Sequence, residues 1–150
     1  FDAHFESDKR AERERLAPYA NALGHAATLL QAGLPLQACC QAFLDLPGAE
    51  LCYLIDERGL QLEHNVTAPR FDAACSPQFE PLRDSRGARW ARRPYFRRAL
   101  DNFGRVQVTR PYLTVHGAHL CVTVSVSLRW KGQLVVLGGD IAWERDPQVG

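Results

Sequence analysis

The sequence has no methionine, not even at its first position, and only two lysines against sixteen arginines. A chain that begins Phe1-Asp2-Ala3 is expected to be a piece of a longer protein. No run of apolar residues reaches the length of about 18 that a membrane-crossing helix needs. Its five cysteines (Cys39, Cys40, Cys52, Cys75 and Cys121) are odd in number and irregularly spaced. That excludes the regular framework of a small disulfide-stapled domain. Four of them, all but Cys75, sit in apolar patterns where thiols act as small core residues, and this predicts a cytoplasmic protein. Glycine (11) and proline (9) are too sparse for a collagenous or low-complexity chain.

The chemical motifs are absent as well. No phosphate-cradling G-x-x-x-x-G-K-[ST], no dinucleotide G-x-G-x-x-G and no nucleophile elbow G-x-S-x-G occurs. Gly138-Gly139-Asp140 is followed by Ile141-Ala142 rather than the Glu-Phe of a diguanylate cyclase signature. His116, His119 and Cys121 are the nearest thing to a metal set, without the CxxC or HExxH spacing a zinc site uses. Asp101, Asp140 and Glu144 form no obvious carboxylate pair. The expectation is a domain without catalysis, metal or cofactor.

What is present is 150 residues at 46% hydrophobic and 23% charged. That suits one domain, able to bury roughly two-thirds of its unfolded surface. The net charge of +1 conceals a split. Residues 1–82 carry 6 basic and 12 acidic side chains, whereas residues 83–110 carry 9 and 2.

The patterning predicts helices first. Ser7 reads as an N-cap, with Leu16, Tyr19, Ala20, Leu23, Ala27 and Leu30 on one stripe, and Pro18 is expected to kink the helix or begin a second. Pro35 opens another helix, with Leu36, Cys39, Cys40, Phe43 and Leu44 at i, i+3, i+4, i+7 and i+8. The period then changes. Ala49–Asp56 and Leu60–His64 read as a hairpin about Glu57-Arg58-Gly59, and 65–87 as a long loop. A short helix runs from Pro94 to about Asn102. Strands follow over Arg105–Thr114, His119–Trp130 and Gln133–Ile141. Helices segregated from strands joined by tight turns argue for an α+β fold with about five antiparallel strands. The division expected is a connecting helix over 1–33 and a single domain over 34–150.

Arg83, Arg86, Arg89, Arg92, Arg93, Arg97 and Arg98 fall within sixteen positions, interleaved with Trp90, Tyr95 and Phe96. Two functional readings compete. One is phosphate contact with nucleic acid, with aromatics stacking on bases. The other is a pocket in which one or two guanidiniums fork onto a carboxylate or phosphate. In a helix opening at Pro94, Arg97 and Arg98 face solvent. Arg93, immediately before the proline, is held extended and aims in a fixed direction.

Four segments carry a resemblance: 90–99 (WARRPYFRRA), 108–112 (VTRPY), 121–125 (CVTVS) and 136–141 (VLGGDI). Together they resemble a Cache (PAS-like, PDC-type) sensor domain over 49–141, preceded by the long helix typical of that family. With Gly-Ala-His-Leu-Cys-Val-Thr at 117–123, the chain looks like the cytoplasmic regulatory domain that follows EAL cyclic-di-GMP phosphodiesterase domains. The resemblance implies a small-molecule site at Trp90, Arg93, Tyr95, Phe96, Tyr112 and Asp140. In amino-acid-binding members the Arg takes the ligand carboxylate and the Asp its ammonium. One departure is Thr114, near the place where the family often has an acid after Pro-Tyr. Arg93 and Asp140 forming only a structural ion pair is the plain alternative. The resemblance further implies an attached EAL or GGDEF effector, a homodimer through the 5–31 helix, and neither nucleic acid nor membrane as partner. Two other readings stand beside it, a nucleic-acid-binding module on Arg83–Arg98 and a ligand-free dimerisation module.

Overall fold

The computed structural model describes residues 2–63, 65–68, 94–109, 112–113 and 120–143. Helix α1 (Asp2–Gln31) opens the chain. Residues 2–6 hold no helix breaker, so the helix starts upstream of Ser7, which is an interior residue and not a cap. Pro18 begins no second helix. It lies on an exposed stretch of α1, where water serves the carbonyl its missing N–H leaves unpaired. Leu16, Leu23, Ala26, Ala27 and Leu30 form the buried stripe, close to the one the spacing predicts.

The second predicted helix divides at Cys40 into α2 (Leu36–Cys39) and α3 (Gln41–Leu44). Its apolar face survives the break, since Leu36, Cys39, Cys40, Phe43 and Leu44 are all buried. Tyr19 meets Phe43 edge-on at 6.2 Å, and its hydroxyl donates to the Pro47 carbonyl. These contacts tie α1 to α3.

Strand β1 (Ala49–Asp56) follows as expected, but its hairpin partner is not a strand over 60–64. Leu62 N donates to Leu54 O, and Asp56 N to Leu60 O, both at 2.8 Å. Pairing then lapses and resumes at β2 (Val66–Thr67), where Val66 faces Cys52. Two residues of β1 therefore oppose four of the return segment. Buried Gln61 holds this bulge, donating from Nε2 to Glu63 O at 2.9 Å and Asn65 Oδ1 at 2.8 Å.

Helix α4 (Pro94–Asp101) matches its prediction. The strand expected over 105–114 is two short pieces, β3 (Gln107–Val108) and β4 (Tyr112–Leu113). Strands β5 (Leu120–Trp130) and β6 (Gln133–Ala142) are long and complete. They join through Lys131-Gly132, both at positive φ, the two-residue turn that suits the twist of antiparallel strands.

All pairs are antiparallel, in the order β2-β1-β6-β5-β3. Strand β4 pairs β5 further along the edge that β3 occupies, so the sheet is five strands wide. The main core lies between one face of the sheet and helices α1–α3. It takes Cys52 and Leu54 from β1, Val122, Val124, Val126 and Leu128 from β5, and Val135, Leu137 and Ile141 from β6. A smaller cluster of Leu51, Tyr53, Ile55, Phe96, Ala99 and Val136 sits on the other face beneath α4. No described helix is long and apolar enough to cross a membrane.

Four cysteines, Cys39, Cys40, Cys52 and Cys121, are buried. Burial pushes the Cys52 thiol well above its ordinary value of 9.0, and the neighbouring Cys40 pushes it further. The folded state therefore keeps a proton that the unfolded chain releases. Stability from this group is whole below about pH 9 and falls as pH rises beyond it. Urea midpoints from pH 7 to 10.5 should hold level and then decline, and Cys52→Ala should show a shallower decline. An equal decline in both would refute the assignment.

Candidate functional site

The face of the sheet opposite α1 carries the site. On β5, Val122, Val124, Val126 and Leu128 belong to the helix-side core, so Thr123, Ser125 and Ser127 point the other way. A strand with hydroxyls on one side ordinarily turns them to water. Here all three are buried, Thr123 and Ser125 at 0% exposure and Ser127 at 1%. Helix α4 lies over part of this polar face.

The register sets these residues in ranks. Asp140 lies between Leu51 and Thr123, Gly138 between Tyr53 and Ser125, and Val136 between Ile55 and Ser127. Helix α4 closes the last rank. Phe96 and Ala99 pack on Ile55 and Val136, and Ser127 Oγ donates to Ala99 O at 2.7 Å. The middle rank has a glycine for a reason. A Cβ on Gly138 would stand 2.5 Å from the Tyr53 ring, so the ring lies where a side chain would be. From there the Tyr53 hydroxyl donates to Asp140 Oδ1 at 3.3 Å, while Thr123 Oγ1 donates to the same oxygen at 2.8 Å. Thr123 is anchored in turn, because its N–H donates to Thr109 Oγ1 at 3.0 Å. A half-buried carboxylate is thus held in a set orientation by two hydroxyls. An anion in such a place suits a cationic partner, an ammonium or a guanidinium.

Of the residues expected from the sequence, Asp140 is at the centre. Phe96, 1% exposed, is a wall of the apolar end beneath α4. Tyr95 falls in the first turn of α4, and Tyr112 opens β4 opposite Cys121, two residues along β5 from Thr123. Their side chains, and Trp90 and Arg93 altogether, lie outside the described residues, as do His116 and His119. Arg97 and Arg98 are exposed, as the helix phase predicts. Among the described residues no cluster of three His, Cys, Asp or Glu could hold a metal. Sequence reading missed Tyr53, Thr123 and Ser125. The available signal was on β5, where a central strand alternates valines with small hydroxyl residues instead of the charged ones a wet face uses.

A groove of about 690 Å³ lies elsewhere, where Leu34, Pro35, Val66, Trp130 and Lys131 meet near the β5–β6 turn. It holds none of the predicted site residues. Asp140 is at the other end of β6.

No family model matches the sequence, and no curated protein matches it. Solved structures do. The Bacillus subtilis protein YkuI, which has an EAL domain and was solved with its substrate c-di-GMP and calcium, aligns with 95% of this chain at a TM-score of 0.67 and 16% identity. The aligned part is 36% of YkuI, so this chain corresponds to about a third of that protein. The ligand-binding domain of Mlp24, solved with asparagine, aligns with 91% of the chain and 53% of its own length at a TM-score of 0.55 and 14% identity. The ligand-binding domain of the Pseudomonas fluorescens chemoreceptor CtaA, with L-alanine, aligns with 91% of the chain and 54% of its own at 0.51 and 18%. At these identities the likeness establishes architecture: an α+β fold of the PAS/Cache kind, a five-stranded antiparallel sheet behind a long N-terminal helix.

Proposed function

We propose that this is a non-catalytic sensory domain that binds a small zwitterionic or anionic ligand on the sheet face around Asp140. The observation that carries the reading is the hydroxyl–carboxylate cluster of buried Tyr53 and Thr123 with half-buried Asp140 on the sheet face opposite α1. A carboxylate partly withdrawn from water favours a positive group beside it. An amino acid would set its ammonium against Asp140 and its carboxylate against Arg93, with Trp90, Tyr95 and Tyr112 as further walls. The two ligand-binding domains solved with asparagine and L-alanine support this ligand class. The match to an EAL-domain protein favours an attached effector in cyclic-di-GMP turnover, and the cysteines set in apolar patterns favour the cytoplasm as its place. Residues 1–33 would be the relay, through α1 and its copy in a homodimer.

Thermal denaturation against the common amino acids and short carboxylates tests the reading. We expect at least one compound to raise Tm by several degrees, since ligand at 100 times Kd adds about 2.7 kcal/mol. Arg93→Ala should abolish the rise. No rise with any compound, together with tight and salt-sensitive DNA binding, would move the function to the exposed arginines instead.

A further inference from the structure

Among the described residues, one buried side-chain polar atom has no hydrogen-bond partner, Ser125 Oγ. Its neighbours on the same strand face are both served, Thr123 by Asp140 and Ser127 by the Ala99 carbonyl. Backbone groups and hydroxyls buried in native proteins are nearly always paired, because an unmet one costs the full desolvation of the group. An alanine would fill this position without that cost. Ser125 lies in the rank next to Asp140, diagonally across β5 and β6. Diagonal neighbours on such a pair stand about 7–8 Å apart at the backbone. A molecule held by Asp140 through an ammonium reaches that far with a side chain of two to four heavy atoms. Beyond Ser125 the face ends, closed by Ile55, Val136 and Phe96 under α4.

We infer that Ser125 is the specificity-determining residue of this site and selects an amino acid whose short side chain ends in a hydrogen-bonding group. This rests on the function proposed above and adds to it the class of side chain recognised. The physical basis is asymmetric. An apolar ligand leaves the Ser125 hydroxyl buried and unmet, whereas a hydroxyl or carboxamide completes it, and sites of this kind reject the apolar isostere strongly. The floor beside it is shaped by the Tyr53 ring over Gly138, which limits the branch of a ligand to something slim.

Isothermal titration with isosteric pairs, serine against 2-aminobutyrate, threonine against valine and asparagine against leucine, is the test. The wild-type protein should favour the polar member of at least one pair by tenfold or more. In Ser125→Ala the preference should shrink to within about threefold, chiefly by weaker binding of the polar member. Ser125→Cys, close in volume but a weak donor, should fall between. Without ligand, Ser125→Ala should melt at or above the wild-type temperature, which separates a lost contact from a damaged fold. Binding to wild type with a preference that Ser125→Ala leaves unchanged would overturn the inference while sparing the site. An absence of binding by every amino acid would overturn the site and this inference with it.

Discussion

Gly139→Val is expected to abolish cooperative folding, and Gly139→Ala to lower Tm by roughly 10 °C. Gly139 faces the helix side of β6. A Cβ placed there would stand 2.6 Å from Cζ and 2.8 Å from Cε1 of Phe43. That ring cannot swing clear. It is fully buried, edge-on to Tyr19, and carried by a helix that joins α1 to the sheet. Either Phe43 leaves its place, at the roughly 3–5 kcal/mol that deleting a buried aromatic costs, or β6 moves and strains its pairing with β1 and β5. Domains hold only about 5–15 kcal/mol in reserve. At about 2–4 °C per kcal/mol for a chain of this size, a loss near 3 kcal/mol gives the stated shift. Phe43→Leu placed in the Gly139→Ala background should recover part of it, because the smaller side chain leaves room for the methyl. An alanine variant that melts within 2 °C of wild type would show that Phe43 does not rest on Gly139.

The second large effect concerns the opposite face. Asp140→Ala should weaken any amino-acid ligand by at least about 100-fold, or about 2.8 kcal/mol. Removing one partner of a desolvated charge pair loses the attraction and also leaves the other charge unmet. Circular dichroism melts of the ligand-free variant report separately on the hydrogen bonds that the Tyr53 and Thr123 hydroxyls lose. Tyr53→Phe and Thr123→Val should each weaken binding by a smaller factor, since they orient the carboxylate without carrying charge. Titration of the three variants beside circular dichroism melts separates these effects. Equal affinity in Asp140→Ala and wild type would remove the carboxylate from the site.

Gly138 and Gly139 show how far sequence reading went. In the sequence they resemble the start of a signature and then fail to complete it. In the structure each makes room for an aromatic ring, Tyr53 on one face and Phe43 on the other. No local pattern links residue 138 to 53 or 139 to 43. The pairing register of β1 with β6 brings Tyr53 to Gly138, and the docking of α3 brings Phe43 to Gly139. The hairpin after β1 failed for a similar reason. The turn at Glu57-Arg58-Gly59 was legible, but the bulge after it depends on where the Gln61 side chain finds carbonyl partners. Ser7 misled because the residue type that caps a helix is also tolerated inside one.

The sequence by itself determined most element types, the apolar stripes of α1 through α3, and the long strands β5 and β6. Those follow from period and turn chemistry, which act over a few residues. Only the tertiary structure decided that the hydroxyl face of β5 is interior. Alternation says that Thr123, Ser125 and Ser127 share a side, and it is silent on what lies above that side. In the folded protein all three hydroxyls are buried, two of them partnered and Ser125 not. Whether a polar residue is a solvated surface or part of a binding site depends on that burial, because the cost of an unmet hydrogen bond exists only away from water.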